Sequence, residues 1–419
     1  MTTKINKKPL SFFYKNILIM FRGTIIAQII AILVGFYLAK LYGKEAYGFL
    51  GFFVSIMNIA SIIGTLQLDN CIIISKNKNE SINWFNFILI IILPITLFIF
   101  FVLFVFSKFI LIERLDTYMF LFCFFGSAII TYNLAHQRFF TFQKKFSVIS
   151  NIKIFITICA VILQFILFEY YKLFGLIIGF LMAQIILLLY NFYKNKSNLN
   201  KVNFNEIKKG IILNKSLVTF LLPSNIINSL ANNLMPILIL AFFGAEKAGV
   251  YFFSIKILAT PLFLISSSVS EVYYQKSSEL KSENKIELLT VTKKIIKSNL
   301  LIMVLFLLII NTLGIYILDV FFENQWEYLK TYILILSFLI LARSSFNPIS
   351  SLIVVLDKNL IGLIFNCYLF IINLIAIYFG VLYSNILYTV FILSLFGGIG
   401  YYILLYYFLN HLKRNQLNV

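Results

Sequence analysis

The 419-residue chain is 61% hydrophobic and 12% charged, with a mean hydropathy of +0.95 and a formal net charge of +19. A composition this apolar excludes a water-soluble globular protein, whatever number of domains the length would allow. The positive charge must therefore be sorted by membrane side, and it is no argument for a nucleic-acid partner.

Met1 to Ser11 carries Lys4, Lys7 and Lys8 ahead of an apolar run that is too long for a signal peptide and lacks a small-residue cleavage site. This segment reads as a cytoplasmic tail. Apolar runs then follow near 17–40, 48–74, 84–106, 117–137, 147–168, 172–193, 217–243, 247–274, 298–320, 329–356, 360–382 and 385–410. Each can supply the roughly 20 helical residues that cross about 30 Å of hydrocarbon. Continuous apolar runs, rather than alternating ones, exclude a β-barrel. The predicted fold class is an all-α membrane protein with about twelve transmembrane helices.

With a cytoplasmic N-terminus, the inner segments hold 24 Lys and Arg, the outer side seven when Lys40, Lys172, Lys247 and Lys330 at the outer run ends are counted with it, and the run interiors four. That asymmetry predicts a bacterial cytoplasmic (inner) membrane protein with both termini inside. Outer connections are short, the longest near Ser107 to Asp116, and leave no room for an external catalytic domain. Two inner loops are longer, Lys194 to Ser216, basic and rich in Asn, and Gln275 to Lys297, of mixed charge and helix-forming. Cys71, Cys123, Cys159 and Cys367 lie in or beside apolar runs without paired spacing and read as small packing residues.

The end of the first run, Leu41-Tyr42-Gly43-Lys44-Glu45-Ala46-Tyr47-Gly48, is echoed 201 residues later by Phe242-Phe243-Gly244-Ala245-Glu246-Lys247-Ala248-Gly249. Both read aromatic-G-x-E-x-x-G. At the same offset Phe52 matches Phe253 and Ile56 matches Ile257. Positive φ at Gly43 and Gly244 would stop one helix, and Glu45 and Glu246 suit the first turn of the next. Such a repeat predicts two pseudo-symmetric lobes of six helices, residues 1–200 and 201–419, related by an axis along the membrane normal.

This first stretch, Ala39 to Gly48 after Arg22-Gly23, together with the six-plus-six layout and Asn347-Pro348 in the tenth run, resembles the bacterial polysaccharide (O-antigen, Wzx-type) flippases. That family sits within the multidrug, oligosaccharidyl-lipid and polysaccharide exporter superfamily. The resemblance implies a flippase that carries a prenyl-diphosphate-linked oligosaccharide across the membrane by alternating access, with no enzymatic step and no cofactor. Its implied partners are an undecaprenyl-diphosphate-type glycan and membrane lipid, with H+ or Na+ as candidate coupling ion and polysaccharide polymerase machinery as a candidate neighbour.

Polar residues within the runs supply candidate sites. Asn225, Asn228, Ser229 and Asn232 fall on one helical face, and Thr24 and Gln28 correspond to Asn225 and Ser229 at the repeat offset. Such a stripe either packs helices together or lines a watery cavity. Lys256 and Arg343 sit near mid-membrane, where a charge costs on the order of 2.5–3.5 kcal/mol, and no acid lies at matching depth. An aqueous cavity that receives an anion explains both. Arg22 and Lys153 lie closer to the cytoplasmic surface, where they would snorkel or join that cavity. Asp69 and Glu271, at equivalent points late in their runs, are candidates for a gate or for coupling, or are interfacial acids. His136 has no histidine nearby, so no metal site is expected.

Two other functions compete. A cation-coupled multidrug exporter of the same superfamily needs embedded carboxylates, and the first and seventh runs have none. A membrane glycan polymerase or ligase needs acid–base groups presented on a sizeable loop. There is no P-loop to bind ATP.

Overall fold

The computed structural model describes residues 8–109, 117–283, 285–323 and 325–417, nearly all of them helical. Most of the predicted longest outer connection lies outside these residues. Among the described residues, ten helices are long and apolar enough to cross a membrane. One of them, Arg22–Gly64, holds most of the first predicted run and the second as far as Gly64, while the run at 247–274 lies on Ala245–Glu283. The all-helical membrane fold is thus as the composition predicts.

Helix α1 (Lys8–Gly64) breaks at Gly43, with φ 78° and ψ 176°. Its repeat counterpart Gly244, with φ 91°, separates α8 (Leu222–Phe243) from α9 (Ala245–Glu283). Both lie in the left-handed region that glycine enters without a Cβ penalty, as the motif predicts.

The chain divides into two compact units, Met1–Leu41 with Phe53–Ile226 and Tyr42–Phe52 with Ile227–Val419. The first contains both outer arms of α1, then α2 (Asp69–Ile74), α3 (Lys78–Phe109), α4 (Thr117–Phe142), α5 (Phe146–Tyr171), α6 (Gly175–Asn195) and α7 (Phe204–Leu213). The predicted run 48–74 is not continuous, because Leu66 and Gln67 turn at φ 50° and 60° between α1 and α2. Phe85 of α3 stacks on Phe139 of α4 at 4.6 Å, in a core with Trp84, Ile88, Ile92, Ile72 and Ile207. The basic loop after α6 is not formless. Asn203 caps α7 by accepting from the Glu206 backbone N–H, and Gly210 lets α7 seat on the Trp84 indole, where a Cβ would collide.

The second unit holds α8 from Ile227 on, α9, α10 (Lys285–Ile309), α11 (Ile315–Phe322), α12 (Leu329–Phe346), α13 (Leu352–Val355), α14 (Asn359–Leu382) and α15 (Ile386–Leu417). Helix α12 is its most enclosed long helix. It ends at Asn347–Ile349, a single 3₁₀ turn, because Pro348 has no N–H to continue an α ladder, so the predicted run 329–356 is interrupted. Tyr47, Phe253, Phe322 and Trp326 form an aromatic cluster, with Tyr47–Phe253 at 5.2 Å and Phe253–Trp326 at 4.8 Å.

The two copies of the glycine motif meet inside this unit. A Cβ at Gly48 would strike the Ala245 carbonyl, and a Cβ at Gly249 would strike the Lys44 carbonyl. Positions 44 and 245, and 48 and 249, are the repeat's own equivalents, so the contact is reciprocal. Lys44 Nζ also pairs with Glu246 at 2.8 Å.

Candidate substrate-binding site

In the second unit, α8 and α12 bring three of the sequence-predicted residues together. Arg343 Nη2 donates to Asn232 Oδ1 at 3.0 Å, and Asn232 Nδ2 donates in turn to Asn228 Oδ1 at 2.8 Å. Asn228 and Asn232 lie one helical turn apart and are both exposed. The guanidinium sits 5.7 Å from the centre of the Tyr401 ring of α15, and its buried Nε has no acceptor among the described residues. Only one of five guanidinium N–H donors is thus bonded to a described residue. A ring face and an amide oxygen hold the cation without neutralising it.

Lys256 of α9 is handled the same way. Its ammonium lies 5.7 Å from the Tyr47 ring centre, and among the described residues neither it nor Arg343 forms an ion pair. The chemistry on offer is a pair of positive donors whose counter-charge is not in the described protein.

The first unit is organised differently. Asp69 is buried, accepts from Thr65 Oγ1 at 2.8 Å and pairs with Arg138 Nε at 2.8 Å. Among the described residues it is the one fully buried carboxylate. Gln67, two residues before it, accepts from Asn225 Nδ2 at 3.0 Å, which places the first member of the polar stripe on the turn ahead of α2. Lys153 donates to Thr24 Oγ1 at 3.0 Å, where Gly23 lets α1 lie against Ser150 of α5. Arg22 is exposed and Gln28 half-buried, and neither joins these bonds. The Glu271 side chain lies outside the described residues. His136 is packed between Phe85 and Phe192, and its Nδ1 meets Asn195 at 3.0 Å.

Four contributors escaped sequence reasoning: Tyr47, Gln67, Arg138 and Tyr401. Tyr47 lies inside the repeat motif, and its aromatic character was the available signal. Arg138 lies near the end of α4 as a charge beside an apolar run, but nothing local names Asp69, 69 residues away, as its partner.

A family model described as "Polysaccharide biosynthesis protein" matches residues 13–281. No curated protein is matched by the sequence. Among solved structures, the inward closed conformation of the lipid II flippase MurJ is similar over 93% of this chain and 87% of its own, with a TM-score of 0.74 at 15% identity. An inward-facing multidrug resistance transporter of the MATE family, in the MOP superfamily, covers 95% of this chain and 99% of its own, with a TM-score of 0.65 at 14% identity. A MOP superfamily transporter from Pyrococcus furiosus covers 95% and 96%, with a TM-score of 0.55 at 14% identity. At such identities these likenesses speak for the fold, whereas the family match takes in well over half of the sequence. The chain is a multi-pass membrane protein that belongs to the polysaccharide biosynthesis protein family.

Proposed function

We propose that this protein is a flippase that moves a prenyl-diphosphate-linked oligosaccharide, an O-antigen, capsule or related unit, across the cytoplasmic membrane by alternating access. The observation that carries this reading is the Arg343–Asn232–Asn228 ladder, in a chain of the polysaccharide biosynthesis family. A guanidinium with open N–H donors and no carboxylate partner suits a diphosphate, since charge-assisted bonds to phosphate oxygens are strong and directional. Lys256 adds a second positive charge on the same unit, and the exposed Asn228 and Asn232 offer amides for sugar hydroxyls. The fold's likeness to MurJ, by name a lipid II flippase, supports the same class of cargo.

Both termini face the cytoplasm in this reading. An inside-negative potential opposes outward movement of a lipid anion, so an ion gradient or removal of product must offset it. Glu271 is the acid assigned to gating or coupling with H+ or Na+, because Asp69 is already answered by Arg138 and Thr65. The fold is also similar to that of a multidrug resistance transporter. Against that reading, the one fully buried carboxylate among the described residues already has Arg138 and Thr65 as partners.

The test is surface glycan made by cells that carry Arg343→Ala or Lys256→Ala at native expression. Loss of surface polysaccharide, with the protein still in the membrane and lipid-linked precursor accumulating inside, is the expected result. Normal polysaccharide in both variants overturns the assignment.

A further inference from the structure

We infer that the first unit carries its own saccharide pocket, enclosed by α4, α5 and α6 and sized for one pyranose ring. The inference rests on the reading of the cargo as a glycan, but it concerns a different set of residues from the Arg343 ladder. A cavity of about 230 Å³ opens there, with amide side chains from Asn133, Gln137, Gln184 and Asn191 and the Lys153 ammonium in its lining. Ile152, Ile156 and Leu187 supply apolar wall.

The amides are built as a network. Asn133 Nδ2 donates to Gln184 Oε1 at 3.0 Å, and Asn191 Nδ2 donates to Asn133 Oδ1 at 3.0 Å. Asn133 and Asn191 are both more than nine-tenths buried, and the Asn191 Oδ1 has no donor among the described residues. Gln184 Nε2 and the Gln137 amide make no hydrogen bond to a described residue. A lipid tail in this space would leave those groups unsatisfied in hydrocarbon, which is costly. A hydroxyl both donates and accepts, as an amide does, so a ring bearing several hydroxyls matches four amides better than a purely anionic headgroup would. The aliphatic wall suits the C–H face of the same ring.

The size favours one sugar unit of the cargo, so this pocket reads residue identity. The test is saturation-transfer NMR on the full chain in nanodiscs, with methyl glucoside, N-acetylglucosamine and sn-glycerol 1-phosphate as separate probes. At least one saccharide should saturate, and its signal should fall at least fivefold in Gln184→Leu and in the exposed Gln137→Leu, but persist in Arg343→Ala. Should Gln184→Leu fail to fold, Gln137→Leu alone decides. Saturation of glycerol phosphate only would make the cavity a headgroup crevice and overturn the proposal, as would no saturation or signals unchanged in the folded variants. Signals lost in Arg343→Ala alone would overturn the pocket and leave the flippase reading standing.

Discussion

Asp69 in the first unit and Arg343 in the second each put charge among apolar helices, and the protein treats them in opposite ways. Asp69 is closed off by Arg138 and Thr65, so its charge is answered within the unit. Arg343 and Lys256 rest on Tyr401 and Tyr47, which attract a cation without cancelling it. A satisfied pair belongs to the architecture, whereas a charge left open needs a visitor. The difference separates residues whose loss should damage the fold from residues whose loss should damage only transport.

The largest effect tests the closed pair. Arg138→Ala should cost about 3–5 kcal/mol if Asp69 were left charged and sealed, and somewhat less here because the Arg138 side chain is 37% exposed. Thermal unfolding in detergent measures this. The double variant with Asp69→Asn should recover most of the loss, and failure to recover would mean that Arg138 matters through packing.

Next comes the glycine crossing. Gly48→Val or Gly249→Val forces a side chain into a backbone carbonyl, and overpacking of this kind costs about 1–3 kcal/mol. Equal losses on the two sides are expected from the reciprocal geometry, and a loss on one side only would show that the contact is not shared.

Smaller still is Asn225→Leu, which removes one hydrogen bond to Gln67 worth about 0.5–1.5 kcal/mol. No change in the melting temperature would return Asn225 to the set of residues that face the cargo. The smallest effect on the fold is expected from Lys256→Met and Arg343→Met, because removing a cation without a counter-ion relieves a desolvation cost. Melting temperatures unchanged or raised, with export lost, would sharpen the comparison. A clear fall would break it.

The sequence made the membrane class legible because twelve long apolar runs leave few alternatives. It also located both helix breaks, since only glycine is comfortable at φ 78° and 91°. Interruptions written in side-chain contacts were invisible. Leu66 and Gln67 turn the chain without glycine or proline, held by the bonds of Thr65, Asp69 and Asn225 around them. The site was half legible. Charge at mid-run picked out Lys256 and Arg343, and helical spacing put Asn228 and Asn232 on one face. The rings that hold the cations could not be named among 24 Tyr and 47 Phe, because contacts between helices leave no local pattern. Helix α7 was hidden for a related reason, as six lysines between 194 and 215 mask its Ile207 and its Gly210 seat.

The reciprocal meeting of Gly48 with Ala245 and Gly249 with Lys44 has a consequence for heredity. After a duplication, two copies of a segment ordinarily diverge as independent lineages. Here each copy is the steric environment of the other, so a bulky residue arising in one is resisted by a backbone atom of its twin. The two segments are therefore constrained as one object, and their shared spelling answers a steric need that each imposes on the other.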